Sequence, residues 1–448
     1  MGKYFGTDGI RGVAGKELTP ELALKIGRAA GTFFKSEDAK PRVVVGRDPR
    51  RSGDMLEAAL TAGLLSVGVE VMRLGVMTTP GVAFLTKSLG AKAGAVISAS
   101  HNPVEDNGIK FFGADGFKLS DDTEETIERY LEEALTNDAL PRLTGGEIGE
   151  VTDAFEGVQK YMAYLKSLVP GDLEGLKIIL DCANGAASHI AERLFIDLGA
   201  EVEPFFCQPD GININVGCGS TQPQALQEKV VALGADVGLA FDGDADRLIA
   251  VDETGAVVDG DYILSYLGTR LAAEGALPGR TIVTTVMANL GLIRYLKKHH
   301  IDVRMTPVGD RYVVEAMLQG GFTLGGEQSG HIVFLNHATT GDGLITALML
   351  LSALKADGGK LSEKARVWEK YPQVLLNVRV REKNGWDTVP DIVQVIDEVS
   401  RRLGEEGRVL VRPSGTEPII RVMVEGPEKA IIEQEARQIA QVIEATLG

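Results

Sequence analysis

The 448-residue chain is poor in cysteine: it has only Cys182, Cys207 and Cys218, and none of these forms a CxxC pair. An odd number of cysteines without paired spacing argues against a disulfide-bonded secreted protein. It predicts a reducing compartment, which we expect to be the cytoplasm. The first residues lack the apolar segment of a signal peptide, and no apolar run reaches the length that spans a membrane. Secreted and membrane-embedded classes are therefore not expected.

Basic residues are also few: the chain has 46 lysines and arginines but 63 aspartates and glutamates, which gives a net charge of −17. Such an acidic chain argues against nucleic acid or an anionic membrane as the main partner. A small anionic substrate would instead need a local cluster of basic residues. The remaining composition, 44% hydrophobic and 24% charged, is that of a globular protein with room for three or four domains.

Most of the chain alternates predicted strands with predicted helices, a pattern typical of α/β domains with parallel sheets. Three such stretches, each of about a hundred residues as is usual for a domain, end a strand in a charged or hydroxyl-rich loop. The last stretch differs and predicts a smaller α+β domain. The predicted fold class is therefore α/β, with three related domains of mixed or parallel sheets and a smaller C-terminal α+β domain. The predicted domain limits are 1–150, 151–254, 255–367 and 368–448.

The first of these loops follows the apolar stretch Ala93–Ile97, which predicts a buried strand, and begins Ser98-Ala99-Ser100-His101-Asn102-Pro103. The Asn-Pro step ends regular structure, because proline lacks an N–H and restricts the residue before it. Open α/β sheets bind ligands at the carboxyl ends of their strands, so these hydroxyl and imidazole groups are site candidates. A plain polar turn is an equally good interpretation of this stretch alone. The next segment, Asn107–Phe112, predicts a turn and then a strand.

The second loop places three carboxylates, Asp242, Asp244 and Asp246, at alternate positions after a predicted strand. Such a cluster repels itself unless a divalent cation is bound, and Mg²⁺ is favoured over Ca²⁺ if a phosphate oxygen completes the ligand set. An EF-hand is disfavoured, because Arg247 stands where its invariant glycine belongs. A solvated acidic turn remains as the alternative.

Two further stretches carry phosphate-binding groups. The residues Arg412, Ser414, Gly415, Thr416 and Arg421 offer guanidinium, hydroxyl and backbone N–H donors, which are the groups that hold a phosphate dianion. A plain turn is the alternative there, since Pro, Ser and Gly also form turns.

Near the N-terminus, glycines surround Arg11, which could meet a phosphate; a plain turn is an equally good interpretation. Glu327 and Ser329 pair an acceptor with a donor between glycines, which suits two adjacent sugar hydroxyls. No Walker motif occurs, and no GxGxxG follows a predicted strand, so kinase and dinucleotide-binding classes lose support.

These motifs occur together and in a set order along nearly the whole chain, from Gly6 to Arg421. In that order they resemble the motifs of the α-D-phosphohexomutases. The form Gly326-Glu327-Gln328-Ser329-Gly330-His331 is similar to that of the branch of the family that acts on glucosamine phosphates.

The resemblance implies four domains around a central cleft, with the fourth domain closing over the substrate. It implies that Ser100 is a phosphoserine, and that Asp242, Asp244 and Asp246 bind one Mg²⁺ together with the Ser100 phosphate. The groups implied in acid/base and charge-stabilising roles are His101, Lys110, Arg247 and His331. The groups implied in substrate binding are Arg11, Glu327 and Ser329, with Arg412, Ser414, Gly415, Thr416 and Arg421 on the phosphate that is not transferred.

The implied reaction interconverts D-glucosamine 6-phosphate and α-D-glucosamine 1-phosphate, a step toward amino-sugar precursors of the cell wall. Its intermediate or activator would be glucosamine 1,6-bisphosphate or glucose 1,6-bisphosphate. A related mutase for glucose or mannose phosphate, a Mg²⁺-dependent phosphatase and a non-catalytic sugar-phosphate binding protein remain as alternatives. A small phosphosugar is the expected partner, with no nucleic acid and no membrane, and a homodimer is possible.

Overall fold

The computed structural model describes residues 3–6, 8–38, 40–414 and 418–448. The chain divides into two compact units. The first unit consists of residues 1–287 and 300–367, and the second of residues 288–299 and 368–448. Within the described residues, no helix combines the length and the apolar character needed to cross a membrane.

The first sheet lies at the start of the first unit. Its strands are β1 (Ile10–Val13), β2 (Arg42–Arg47), β3 (Glu70–Val76), β4 (Ala93–Ile97), β5 (Asp106–Gly113) and β6 (Val151–Asp153). Their order is β1-β5-β4-β2-β3-β6, with β5 antiparallel to both of its neighbours. The helices of this part are α1 (Pro20–Glu37), α2 (Arg51–Ser66), α3 (Thr79–Ser88) and α4 (Asp121–Thr136).

Local sequence explains where these elements begin. The Thr19 hydroxyl accepts from Leu22 N, and Pro20 occupies the first turn of α1, so this helix starts where its capping residues predict. Strand β4 is buried along its whole length, between β2 and β5. Small residues are required there, because a Cβ on Gly94 would lie 2.1 Å from Thr86 Oγ1.

The second sheet has the order β11-β10-β9-β7-β8. Its strands are β7 (Lys177–Asp181), β8 (Glu201–Phe205), β9 (Val237–Phe241), β10 (Leu248–Asp252) and β11 (Val257–Val258). Strands β7, β8 and β9 are parallel, whereas β10 is antiparallel to β9. The helices here are α5 (Gly157–Ser167), α6 (Ala191–Asp197) and α7 (Gln224–Leu233).

The third sheet has the order β13-β12-β14-β15. Its strands are β12 (Thr281–Thr285), β13 (Asp302–Thr306), β14 (Leu324–Gly326) and β15 (Ile332–Phe334), with β15 antiparallel to β14. The helices of this stretch are α8 (Gly260–Ala273), α9 (Leu290–Lys298), α10 (Asp310–Gly320), α11 (Gly343–Asp357) and α12 (Leu361–Ala365).

The second unit contains the fourth sheet, which is antiparallel with the order β16-β18-β17. Its strands are β16 (Gln373–Arg379), β17 (Arg408–Pro413) and β18 (Ile419–Glu425), and its helices are α13 (Pro390–Leu403) and α14 (Lys429–Leu447). Helix α9 also belongs to this unit. The backbone of Leu290 donates to Glu425 Oε1 at 2.8 Å, and Asn289 donates to the Tyr371 carbonyl at 2.9 Å.

The architecture confirms the predicted fold class of three mixed α/β domains followed by a smaller C-terminal domain with an antiparallel sheet. The turn predicted at Asn107-Gly108 is wrong, because β5 already begins at Asp106 and runs through both residues. Strands β10 and β15 were not predicted. The predicted domain limits and the central cleft stay predictions.

Candidate active site

Three loops of the first unit carry most of the predicted site residues, and all three have the same topology. The serine loop (Ser98–Glu105) joins β4 to β5, the carboxylate loop (Asp242–Arg247) joins β9 to β10, and the sugar loop (Glu327–His331) joins β14 to β15. In each case the second strand returns antiparallel beside the first. Each loop is therefore anchored at both ends by the hydrogen bonds of one strand pair.

Backbone contacts bring the three loops together. Leu248 N, directly after the carboxylate loop, donates to the Gly330 carbonyl of the sugar loop at 3.0 Å. The serine and carboxylate loops approach so closely that a Cβ on Gly243 would lie 2.5 Å from the Ser100 carbonyl oxygen. Glycine is therefore required at position 243, and the two loops form one site.

Ser100 lies at the centre of this site and is only 1% exposed. Its backbone has a φ of +53°, an unfavourable left-handed conformation for a residue other than glycine. Its Oγ donates to Asp242 Oδ2 at 2.5 Å and lies 3.2 Å from His101 Nδ1. A buried hydroxyl between a carboxylate and an imidazole has the surroundings of a nucleophile.

A brace that the sequence analysis missed holds this conformation. Arg50, which is fully buried, donates to the carbonyls of Ser100 and Asn102 at 2.9 Å each. Asn215 donates to the same two carbonyls at 2.9 and 3.0 Å. Asp48 accepts from Arg50 Nε at 2.9 Å and from the Ser98 hydroxyl at 2.6 Å. Ser98 is thus occupied in the brace, while Ser100 faces the carboxylates.

The Asp242, Asp244 and Asp246 side chains each offer one oxygen, and these oxygens lie within 4.8 Å of one another. Asp244 Oδ1 and Asp246 Oδ1 are buried without a hydrogen-bond partner. Burial, followed by the charges of Asp246 and Asp244, raises the pKa of Asp242 well above its usual range. Unpartnered carboxylate oxygens that converge in this way fit a hard divalent cation such as Mg²⁺.

Two predicted cationic residues lie against this cluster. Lys110 Nζ is 2.9 Å from Asp244 Oδ2 and 3.0 Å from Asp8 Oδ2. Burial alone would lower the pKa of Lys110, but these two carboxylates outweigh it and raise the pKa, so the amine remains protonated. Arg247 Nε lies 3.8 Å from Asp246 Oδ1, and Arg247 N donates to Asp242 Oδ1 at 3.2 Å.

The two predicted histidines have opposite environments. Burial, with the charges of Arg247 and Arg11, lowers the pKa of His101 to about 4, so its ring is neutral at pH 7. His331 has a carboxylate beside each ring nitrogen: Nδ1 lies 3.6 Å from Asp246 Oδ2, and Nε2 lies 3.5 Å from Asp310 Oδ2. Burial lowers the pKa of His331, but the two carboxylates outweigh burial, so the pKa lies above its usual value.

The sugar loop presents its acceptor–donor pair next to this cluster. Glu327 Oε2 accepts from Ser329 Oγ at 3.4 Å, while Oε1 accepts from Gly309 N at 3.1 Å. Arg11 forms an ion pair with Asp8, and its Nε is buried without a hydrogen-bond partner. The structure thus brings Ser100, His101, Lys110, Arg247, His331, Arg11, Glu327, Ser329 and the three aspartates into one unit.

The remaining predicted residues lie in the second unit. Arg412 of β17 and Arg421 of β18 are direct partners across the antiparallel ladder. Burial, and then the charge of Arg421, lowers the pKa of Arg412. Ser414 is buried, and its carbonyl accepts from Lys383 Nζ at 2.7 Å; the sequence analysis missed this lysine. Gly415 and Thr416 lie outside the described residues.

The chain matches sequence models of a known family along most of its length. The matches are phosphoglucomutase/phosphomannomutase alpha/beta/alpha domain I over residues 2–138, domain II over 159–255, domain III over 259–371 and the C-terminal domain over 375–442. The order of these domains is that of the four sheets described above.

Two curated relatives are similar over the whole length. The chain is 56% identical over 448 residues to the phosphoglucosamine mutase of Halalkalibacterium halodurans, and 54% identical over 448 residues to that of Bacillus subtilis strain 168. In both cases 100% of each chain is covered.

Solved structures have the same fold. A phosphoglucomutase/phosphomannomutase family protein from Burkholderia thailandensis has a TM-score of 0.81 at 26% identity, covering 99% of this chain and 98% of that one. An N-acetylphosphoglucosamine mutase from Aspergillus fumigatus, solved with GlcNAc-6P and magnesium, has a TM-score of 0.66 at 18% identity, covering 99% and 96%.

Proposed function

The chain belongs to the phosphoglucomutase/phosphomannomutase family, and on that premise we propose that it interconverts D-glucosamine 6-phosphate and α-D-glucosamine 1-phosphate. It is an isomerase that moves a phosphoryl group within its substrate by way of a phosphoserine and a sugar bisphosphate. The choice of glucosamine rests on the full-length identity of 54–57% to phosphoglucosamine mutases of three bacteria.

One structural observation carries the proposed chemistry: the buried Ser100 Oγ lies 2.5 Å from a carboxylate of a three-aspartate cluster. In the resting enzyme Ser100 carries the phosphoryl group. The bond between phosphorus and Ser100 Oγ breaks as a sugar hydroxyl oxygen forms a bond to the same phosphorus. The sugar hydroxyl gives its proton to a base of the site, and the leaving Ser100 Oγ takes up a proton to become a hydroxyl again. The bisphosphate then turns round and returns its other phosphoryl group to Ser100.

Asp242, Asp244 and Asp246 would hold Mg²⁺ together with an oxygen of the phosphoserine. When bound, Mg²⁺ supplies positive charge that neutralises the phosphoryl oxygens. The chain's own residues position the reacting groups, which is the main contribution of proteins to phosphoryl transfer. The protonated Lys110 donates hydrogen bonds to developing negative charge. The neutral His101, 3.2 Å from Ser100 Oγ, can hold a proton at Nδ1.

Substrate binding is assigned to two sets of residues. Glu327 and Ser329 bind two adjacent sugar hydroxyls, and because a half-turn of the sugar exchanges the 3- and 4-hydroxyls, the same pair serves both orientations. Arg11 contacts phosphate, and Arg412, Ser414, Gly415, Thr416 and Arg421 bind the phosphate that is not transferred. Guanidinium groups suit this task, since their planar fork matches phosphate geometry. We propose a cytoplasmic enzyme; its three thiols are free, as a reducing compartment requires.

The test is a substrate panel with the phosphorylated protein. The protein is loaded with glucose 1,6-bisphosphate, the modified serine is mapped by mass spectrometry, and coupled assays follow glucosamine, glucose and mannose phosphates. We expect phosphate on Ser100 and not on Ser98, with glucosamine phosphate the best substrate and glucose phosphate a poorer one.

Other results would contradict the proposal. Faster turnover of mannose or glucose phosphate would make the chain a related mutase. Release of inorganic phosphate at the rate of substrate loss would make it a phosphatase. Calorimetric titration adds a check on the metal site, because the phosphorylated protein should bind Mg²⁺ more tightly than the unphosphorylated protein.

A further inference from the structure

A ring of polar side chains connects two of the predicted metal ligands by a path that avoids the metal site. It runs from Asp244 to Asp246 through Lys110, Asp8, Lys118, Asp310 and His331. Lys118 Nζ lies at the middle of this path, 2.5 Å from Asp8 Oδ1 and 2.5 Å from Asp310 Oδ2. The mechanism proposed above gives no role to Lys118.

On one side of Lys118, the path leads to the amine of the site. Asp8 accepts from Lys118 at Oδ1 and contacts Lys110 at Oδ2, 3.0 Å away, and Lys110 reaches Asp244 at 2.9 Å. On the other side, Asp310 Oδ2 lies 3.5 Å from His331 Nε2, and the opposite ring nitrogen faces Asp246 at 3.6 Å. Lys118 thus acts on both groups through one carboxylate each.

The local fold explains why Lys118 reaches this position. After β5 the chain turns back, with Gly113 N donating to the Phe117 carbonyl at 2.8 Å and Phe117 N donating to Asp115 Oδ1 at 3.0 Å. This turn forms a bridge between Lys118 and Phe112. Phe112 and Lys110 are two residues apart in the strand and share a face, so the turn brings Lys118 to the same face as Lys110.

The Lys118 contacts are not those of an ordinary surface ion pair. The side chains of Lys118 and Asp310 are each only 17% exposed. Exposed pairs contribute little to stability, whereas removing one member of a buried pair leaves an uncompensated charge. The same turn makes a second contact, from Thr339 Oγ1 to the Gly116 carbonyl at 2.5 Å. The turn is therefore also fixed against the segment that follows β15.

We propose that Lys118 is a positioning residue: through Asp8 and Asp310 it holds Lys110 and His331 against Asp244 and Asp246. Without it, Asp310 has lost its cation and attracts His331 away from Asp246. In the same way, Asp8 attracts Lys110 away from Asp244. The inference rests on the proposed phosphoryl-transfer function for its kinetic consequence, but the position of the His331 ring is independent of that function.

The kinetic experiment compares Lys118→Met, Lys118→Arg and Asp310→Asn with the unchanged protein. Residues that orient ligands of a metal site typically contribute about 10- to 100-fold. We expect Lys118→Met to lower kcat by about this factor with KM changed less than about threefold. Lys118→Arg should recover most of the loss. The double variant Lys118→Met/Asp310→Asn should be less impaired than the product of the two single effects, because both break the same link.

Glu57→Gln provides a matched control. Glu57 also pairs with a cation, Arg47 Nε at 2.9 Å, and its side chain is 12% exposed, but it lies outside the ring. The substitution is the same carboxylate-to-amide change as Asp310→Asn. It should leave kcat and KM unchanged.

The second measurement reads the His331 ring directly, by nitrogen NMR of histidine-labelled protein, with the signal assigned by its loss in His331→Gln. Lys118→Met and Asp310→Asn should both shift this signal, while Glu57→Gln should not. An unmoved signal or an unchanged kcat in Lys118→Met overturns the proposal. If the substrate panel fails while the signal still moves, the proposed function is wrong and the positioning role stands.

Discussion

Two polar regions of this chain arrange their charges in opposite ways. The first region is the site around Ser100 and the three aspartates, and the second is the arginine pair of β17 and β18. Around Ser100 in the first unit, cations and carboxylates alternate in close contact, and Asp244 Oδ1 and Asp246 Oδ1 are buried without a hydrogen-bond partner. In the second unit, two like charges, Arg412 and Arg421, are direct neighbours across a strand pair. Like charges placed opposite each other destabilise a sheet.

The comparison favours a different ligand for each region. The unpartnered oxygens of the first region fit a cation. The two facing guanidinium groups of the second region suit a dianionic phosphate. Local basic groups of this kind are what a chain with a net charge of −17 would need to bind an anionic sugar phosphate. Each prediction below changes residues of only one of the two regions.

The largest effect should come from removing the nucleophile of the first region. Ser100→Ala should lower turnover by roughly four or more orders of magnitude, as loss of a covalent nucleophile does in other enzymes. The melting temperature should change little, since the hydroxyl contributes little packing. Coupled assays measure the turnover, and thermal unfolding measures the melting temperature. Turnover near that of the unchanged protein would exclude Ser100 as the phosphoryl carrier.

The next effect should come from separating the two loops of the first region. In Gly243→Ala the new methyl would lie 2.5 Å from the Ser100 carbonyl, so the serine and carboxylate loops must move apart. Misplacement of about 1 Å costs about 10²-fold in rate, and we expect a loss of kcat of that order.

Gly146→Ala is the matched control for this change, because a Cβ at Gly146 meets nothing within 4 Å. It should leave kcat unchanged. Equal kinetics of the two alanine variants would show that close approach of the loops is not required.

A smaller effect is expected in the second region. Arg421→Met should raise KM for the sugar phosphate by about 10- to 100-fold, the value of a charge-assisted hydrogen bond to phosphate. Mg²⁺ affinity should not change. Arg379→Met, which removes an exposed arginine of the neighbouring strand, is the control and should leave KM unaltered. A loss of Mg²⁺ affinity in Arg421→Met would show that the second region also affects metal binding in the first.

The second region should also show a stability effect of opposite sign. Arg412→Met removes one of the two facing cations, so the unliganded protein should melt at a slightly higher temperature while binding the sugar phosphate less well. Differential scanning calorimetry without and with substrate measures the melting temperature and its increase on substrate binding. A lower melting temperature without ligand would show that the arginine pair is not repulsive.

The last prediction concerns a buried carboxylate beside the first region, Asp342. Its Oδ1 accepts from Leu344 N and Ile345 N at 3.0 Å each, and the Tyr161 hydroxyl donates to Oδ2. Burial raises the pKa of Asp342 from 3.8 to about 6. Its contribution to stability is therefore full below pH 4 and is lost as the pH rises through about 6.

Asp342→Asn removes this titration but keeps the helix cap. The variant should gain up to about 3 kcal/mol over the unchanged protein at pH 7.5, and the gain should shrink toward pH 4. Unfolding measurements at several pH values test this. A difference that is independent of pH would show that Asp342 does not titrate in this range.

Much of the fold could be predicted from sequence, because long amphipathic or apolar stretches carry the signal. The limits of β4 are those predicted, residue by residue. The strands β10 and β15 were missed because they are short and follow charged loops. Asn107-Gly108 looked like a turn, but Gly108 is required for close approach: a Cβ there would lie 2.7 Å from the Ser98 carbonyl.

The residues of the site also divide into those that could be predicted from sequence and those that could not. Ser100 and the three aspartates stand in short motifs at strand ends, and their side chains meet in the structure. Arg50, Asn215, Lys118 and Asp310 could not be predicted as partners, since their contacts come from loops distant in sequence. For Arg50 a signal existed, because Asp48 and Arg50 follow β2, the parallel neighbour of β4.

The Arg50 brace also affects how the serine loop would meet an anion. Carbonyl oxygens carry partial negative charge and would repel the phosphoryl group proposed for Ser100. Arg50 and Asn215 donate to the carbonyls of Ser100 and Asn102, so both oxygens are already bound by donors of the protein. Two buried donors thereby lower the negative potential of the loop that would carry the phosphate.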